Sequence, residues 1–273
     1  MNELILDILQ QLRDSSQGAL DAHQLEILIN SHNSGIDSSA HSTEREKLIP
    51  KRAILPYFLQ VKQNNDELWQ SWNVTPELEE RFIRSVRMKP RRTASGVATI
   101  TVITRPHTCS SNCIYCPCDL RMPKSYLANE PACQRAELDP YVQVAARLQA
   151  LHQMGHSTDK VELIVLGGTW SDYPEGYQCW FIKELFHALN EWPNSPGHIQ
   201  ERLDWYSSFG LQNSEGALSS FVAEQQAAVF DDAVTYNQAF HKLYDASRPH
   251  QRTWSQMQST YDELVEQQRV NET

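Results

Sequence analysis

Apolar residues recur at helical spacing at the start of the chain. In residues 3–13 (ELILDILQQLR) they fall on one face, and residues 20–31 repeat the pattern, so two amphipathic helices are expected. Residues 32–48 are rich in Ser, Asn, His and charge and read as a linker. Thr75-Pro76 is an N-cap followed by proline at the first helical position. Glu77, Glu79 and Glu80 suit the positive end of that helix, which runs to about Val86. Residues 97–104 (VATITVIT) are β-branched, bounded by Gly96 and Pro106, and predict a strand. Asp139-Pro140 opens another helix and Gly155 stops it. Residues 161–166 (VELIVL) are almost continuously apolar, the pattern of a strand buried in a parallel sheet. Gly167-Gly168-Thr169 follows, and then residues 175–190 read as a helix. The order strand, loop, helix, strand, loop, helix predicts an α/β fold with a parallel sheet and helical crossovers. Beyond about residue 193 the pattern weakens, with helical pieces near 220–230, 236–245 and 254–268, no third strand and no internal repeat.

Composition narrows the class. At 273 residues the chain makes one large domain or two small ones, and its 40% apolar and 21% charged content is that of an ordinary globular protein. No run approaches the ~18 apolar residues of a membrane span. The start, Met1-Asn2-Glu3-Leu4, lacks the basic and apolar segments of a signal peptide, so a reducing cytoplasm is the expected compartment. A net charge of −10 repels nucleic acid overall. One segment runs against it: Arg81, Arg84, Arg87, Lys89, Arg91 and Arg92 place six cations in twelve residues with no acid among them. Residues 197–273 lean the other way, with eleven acids against five bases.

Four of the six cysteines, Cys109, Cys113, Cys116 and Cys118, lie within ten residues. In a cytosolic chain such clustering points to metal ligation or redox chemistry before disulfides. Three thiolates on one loop can hold three irons of a 4Fe–4S cubane and leave the fourth open. A structural zinc site using Cys109, Cys113, Cys116 and Cys118 is the competing reading, although zinc sites usually bring two well-separated pairs. Cys118, Cys133 and Cys179 read as non-ligands, Cys179 as a core residue among aromatics. His107 and His156 read as structural or supporting groups.

The order Cys109-x3-Cys113-x-Tyr115-Cys116, on a loop directly after a strand, resembles the radical S-adenosylmethionine superfamily. There the open iron binds S-adenosylmethionine, and the reduced cluster cleaves it to a 5′-deoxyadenosyl radical. Gly167-Gly168-Thr169 resembles that superfamily's glycine motif, where bare backbone meets the S-adenosylmethionine amino group.

Residues 89–192 narrow the resemblance. They contain KPRRTASGVA at 89–98, MPKSYLANEP at 122–131, Asp139-Pro140-Tyr141, GHSTDKVE at 155–162 and GGTWSDYP at 167–174. Together these resemble the catalytic subunit of Elongator and its single-chain bacterial and archaeal homologues. The resemblance implies a radical S-adenosylmethionine barrel joined to an acetyltransferase domain, acting on the wobble uridine of tRNA. It implies that acetyl-CoA supplies a methyl-derived radical that adds to C5, and that thioester hydrolysis leaves a carboxymethyl group. It also places Lys160 on acetyl-CoA and offers Arg84, Arg87, Lys89, Arg91 and Arg92 to tRNA phosphates. The same cations equally suit a solvated helix end.

The expected organisation is a helical region with a basic end at 1–88, a radical S-adenosylmethionine core of two β/α units at 89–193, and a polar, mostly helical segment at 194–273. No glycine-rich acetyl-CoA loop is present, so the acetyltransferase domain is expected to be absent and the barrel truncated. A second chain, or a missing carboxyl-terminal half, would complete them. Pro117-Cys118-Asp119 also replaces the Pro-Gly-Gly that follows the last cysteine in many family members. Two other readings stand beside this one: a radical S-adenosylmethionine enzyme with another substrate, and a non-catalytic metal- or cluster-binding scaffold that docks tRNA.

Overall fold

The computed structural model describes residues 1–15, 18–34, 48–111, 113–129, 138–208, 215–244 and 254–272. The chain divides into two units, Met1–Ala98 with Ala150–Lys160, and Thr99–Gln149 with Val161–Thr273.

The first unit is helical: α1 (Asn2–Asp14), α2 (Ala22–Asn33), α3 (Lys51–Asn64), α4 (Asp66–Ser71) and α5 (Pro76–Val86). Leu4, Ile5, Ile8, Leu9 and Leu12 recur along one face of α1 and are fully buried. Asp21 and Gln24 form a capping box on α2, and the Thr75 hydroxyl accepts from the Leu78 N–H to start α5. At the centre the Phe58 ring stacks on Phe82 at 4.1 Å and on Trp72 at 5.9 Å between centroids. Gly155 turns at φ +82, a left-handed value that favours glycine, and a Cβ there would stand 3.0 Å from Leu55 Cδ2. Neither α3 nor α4 was expected from the sequence. Pro56 interrupts the pattern of α3 and obscures its buried stripe of Ile54, Leu55, Phe58 and Val61. Most of the expected linker, 35–47, lies outside the described residues.

The sheet has two strands, β1 (Ala98–Ile103) and β2 (Val161–Leu166). The Ala98 N–H donates to the Lys160 carbonyl at 2.8 Å and the Thr104 N–H to that of Leu166 at 3.0 Å. The same offset at both ends makes the pair parallel. The crossover is α6 (Pro140–Gln153), which Asp139 caps by accepting from the Val142 N–H at 3.0 Å. In β1, Ala98, Ile100, Val102 and Ile103 are buried. The expected burial of β2 is not found: Ile164 is 40% and Val165 38% exposed. Among the described residues β2 pairs only with β1, so its outer edge and part of its faces stay open. The result is a mostly helical chain with a small parallel sheet, and no barrel closes among the described residues.

After β2 come α7 (Glu175–Asn190), α8 (Ile199–Ser208), α9 (Glu215–Phe230), α10 (Tyr236–Leu243) and α11 (Tyr261–Glu272). The structure corrects the reading of this tail: α8 was not expected, and the helix placed at 254–268 is split, with helical residues at 254–256 and α11 starting at Tyr261.

A buried ionic network joins three of these helices. The Arg202 guanidinium on α8 donates to Asp139 Oδ2 and to Glu184 Oε2, each at 2.9 Å, and lies 5.0 Å from the Tyr141 ring. Burial pushes the Glu184 carboxyl up, but the His187 hydrogen bond and the charges of Arg202 and Lys183 outweigh it and hold the carboxyl at about 2. Removing the cation leaves two buried carboxylates short of their partner, so Arg202→Met is expected to cost ~3–5 kcal/mol in urea unfolding. Because the folded Glu184 value lies below the ordinary 4.5, its stabilisation is present above that value and is lost as pH falls toward 2. Glu184→Gln should flatten that acid limb of the stability profile.

Candidate functional site

The site grows from the carboxyl end of β1. Thr104 Oγ1 lies 2.7 Å from Tyr173 Oη, which itself donates to the Arg105 carbonyl at 2.8 Å. The Arg105 N–H donates to Tyr177 Oη at 3.1 Å. The Arg105 guanidinium is buried 4.6 Å from the Tyr177 ring and 4.7 Å from the Trp254 ring, and no carboxylate pairs with it among the described residues. Burial, aided by the Arg105 charge, lowers the His107 imidazole to about 4. The ring is therefore neutral at pH 7 and donates from Nε2 to the Asp172 carbonyl at 2.8 Å.

The thiol loop follows. Cys109 is buried with Sγ 3.2 Å from Thr169 Oγ1, which joins the loop to the residues after β2. Burial alone would raise this thiol, but the Thr169 hydroxyl, the Ser111 and Thr169 backbone and the Lys124 charge bring it below its ordinary value. Cys116 Sγ lies 2.7 Å from Ser125 Oγ, and Cys113 is exposed beside Ile114 and Tyr115. Lys124 is buried, and its ammonium donates to the Ser111 carbonyl at 2.8 Å, inside the loop. Ser125 holds φ +87, a left-handed value rare for a residue with a side chain. Burial raises the Cys118 thiol, which bonds the Cys116 carbonyl at 3.4 Å. Cys179 is buried in α7, and Cys133 lies outside the described residues.

Three thiols within eight residues are donors of the kind that can hold a thiolate-bound cluster. The structure does not gather them: among the described residues no three His, Cys, Asp or Glu side chains converge as metal ligands. The donors fit such a cluster in kind, and the buried Lys124 cation fits its negative charge.

Beside the loop is a cavity of about 350 Å³, lined by Thr104, Tyr126, Leu166, Gly167, Gly168 and Trp170. Its two glycines differ. A Cβ on Gly167 would stand 2.1 Å from Thr104 Oγ1, whereas one on Gly168 would meet nothing closer than 3.9 Å. Packing thus demands glycine at 167 and leaves 168 free.

Lys160 and the basic residues belong to the first unit. Lys160 is exposed at the start of β2. Arg81 is a fastener, donating to the Gly18 and Ser15 carbonyls at 3.1 and 2.9 Å. Arg84 pairs with Glu80 at 2.6 Å, so the acid just before the run answers one of its cations. Arg87 is half-buried, while Lys89, Arg91 and Arg92 are exposed and pair with no acid among the described residues. His156 is buried, with Nδ1 2.8 Å from Thr93 Oγ1. Burial, then the Arg87 and Arg92 charges, lower its value.

Sequence reasoning did not single out Lys124, Ser125 or Asp172. Lys124 and Ser125 bond within the loop, to Ser111 and Cys116, and Asp172 accepts from Ser110 across 62 positions, so no short motif announces their roles.

No family model matches the chain. It is 44% identical over 126 residues to a tRNA uridine(34) acetyltransferase of Methanocaldococcus infernus, covering 43% of this chain and 24% of that protein. A protein of the same name from Dehalococcoides mccartyi is 48% identical over 105 residues, covering 37% and 23%. Elongator complex protein 3 of Schizosaccharomyces pombe is 40% identical over 150 residues, covering 50% and 26%. The chain thus matches about a quarter of the length of these relatives.

The glycine geometry makes a direct prediction. Gly167→Ala should destabilise the chain by ~1–3 kcal/mol through the clash with Thr104. Thr104→Ala should recover part of that loss in the double variant, and Gly168→Ala should be nearly neutral, all read by urea unfolding.

Proposed function

We propose that the chain is of the Elongator catalytic-subunit kind and serves the modification of the tRNA wobble uridine as a radical S-adenosylmethionine enzyme, a reading that its 40–48% identity to such proteins supports. In this reading the product is a carboxymethyl group on C5, drawn from acetyl-CoA. The observation that carries it is the approach of Cys109 Sγ to Thr169 Oγ1, which places the thiol loop against the Gly-Gly-Thr turn after β2.

Each residue set then has a task. Cys109, Cys113 and Cys116 hold a 4Fe–4S cluster. When bound, such a cluster supplies the reductive cleavage of S-adenosylmethionine. Gly167 and Gly168, which line the cavity with Tyr126 and Trp170, and the adjoining Thr169 present backbone to S-adenosylmethionine. The Lys160 ammonium attracts the anionic part of acetyl-CoA. Arg84, Arg87, Lys89, Arg91 and Arg92 take tRNA phosphates, Arg84 only by giving up Glu80.

A second reading is a zinc- or cluster-binding scaffold that docks tRNA. The exposed Lys89, Arg91 and Arg92, which pair with no acid among the described residues, suit the docking.

Two measurements test the proposal. After anaerobic loading with iron and sulfide, the reduced chain should release 5′-deoxyadenosine from S-adenosylmethionine, and Cys113→Ala should fall to background. A chain that binds iron and releases none supports the scaffold. In tRNA binding, the combined Lys89→Ala, Arg91→Ala and Arg92→Ala variant should lower the slope of log affinity against log salt by roughly 2–3. An unchanged slope would remove these residues from the interface.

A further inference from the structure

We propose that Asn237 and Gln226, on the helices that follow β2, are positioning residues of the thiol loop. Between β1 and α6 the described residues form neither helix nor strand. The backbone N–H and C=O groups of this segment therefore cannot satisfy one another in a ladder, yet several are buried.

Two amide side chains take the place of the absent ladder. Asn237 Oδ1 accepts from the Cys109 N–H at 3.1 Å, and Asn237 Nδ2 donates to the Cys109 carbonyl at 2.8 Å. Gln226 Oε1 accepts from the Leu120 N–H at 2.8 Å, and Gln226 Nε2 donates to the Cys118 carbonyl at 2.8 Å. Each amide makes a donor and an acceptor bond to the loop backbone, as a neighbouring strand would. The two pairs bracket the thiols, with Cys113 and Cys116 between them. Tyr236 and Tyr244 add hydroxyl bonds to the Met122 and Leu120 carbonyls at 2.9 and 3.0 Å.

The polar character of this tail thus has a purpose. A half-buried side-chain amide destabilises the fold unless both of its ends are bonded, and here the bonds go to the loop. The claim that the loop holds a cluster rests on the function proposed above. The clamp itself does not, and the test separates the two.

Asn237→Leu and Gln226→Leu would be made in the full chain and amide hydrogen exchange measured without iron. The Cys109 amide should exchange about tenfold faster in the first and the Leu120 amide in the second, with circular dichroism unchanged. Asn237→Asp keeps the acceptor but loses the donor, so its effect should be intermediate; it decides the matter if the leucine variants lose helix. After anaerobic loading, the double leucine variant should retain less iron through gel filtration and show an altered electron paramagnetic resonance signal. Unchanged exchange at both amides overturns the clamp. Altered exchange with unchanged iron retention and signal overturns its positioning role. If the unsubstituted chain takes up no iron, the cluster reading fails, and the exchange measurement still decides the clamp.

Discussion

Backbone hydrogen bonding in the thiol loop is the constraint on which the candidate site depends. A segment with no ladder of its own must borrow partners from side chains or leave buried polar groups unpaired, at about 1–3 kcal/mol each. Asn237, Gln226, Lys124 and Asp172 supply those partners, the last by accepting from the Ser110 N–H at 2.6 Å. The loop is thereby fixed at its ends and near Ser111, while Cys113, Ile114 and Tyr115 stay exposed between the fixed points. Such an arrangement would suit a loop that presents ligands: its anchors are preset and the turn between them remains open.

Charge separates the two polar regions of the second unit. Arg202 is answered by Asp139 and Glu184, a closed network whose work is structural. Arg105 and Lys124 are equally buried, but no carboxylate answers either among the described residues. Among the described residues Lys124 bonds the Ser111 carbonyl inside the thiol loop, and Arg105 lies against aromatic rings. Buried cations without counter-charges are costly, and thiolates on the adjoining loop would offset that cost. The low His107 value arises first from burial and then from the Arg105 charge.

The sequence carried the local signals well and the long-range ones poorly. The cap at Thr75, the turn at Gly155 and the boundaries of β1, β2 and α7 follow from residues a few positions apart. The resemblance to the Elongator family rested on motifs within residues 89–192, the part of the chain that also holds the thiol loop and the glycine turn. By contrast, α3 was hidden by Pro56 and α8 by its polar residues. The openness of β2 could not be read from VELIVL, because burial depends on what packs beside a strand. Asn237 was invisible as a site residue because 128 positions separate it from Cys109. Glutamine and asparagine in a polar tail look like solvated surface until the fold brings them to a backbone.

The most direct measurement is the metal content of the chain after anaerobic loading with iron and sulfide in competition with zinc. The account predicts iron and sulfide bound in nearly equal amounts, absorbance near 400 nm as expected for a thiolate-held cluster, and loss of both in Cys113→Ala. Exclusive uptake of zinc, or iron binding that survives loss of Cys113, would contradict it.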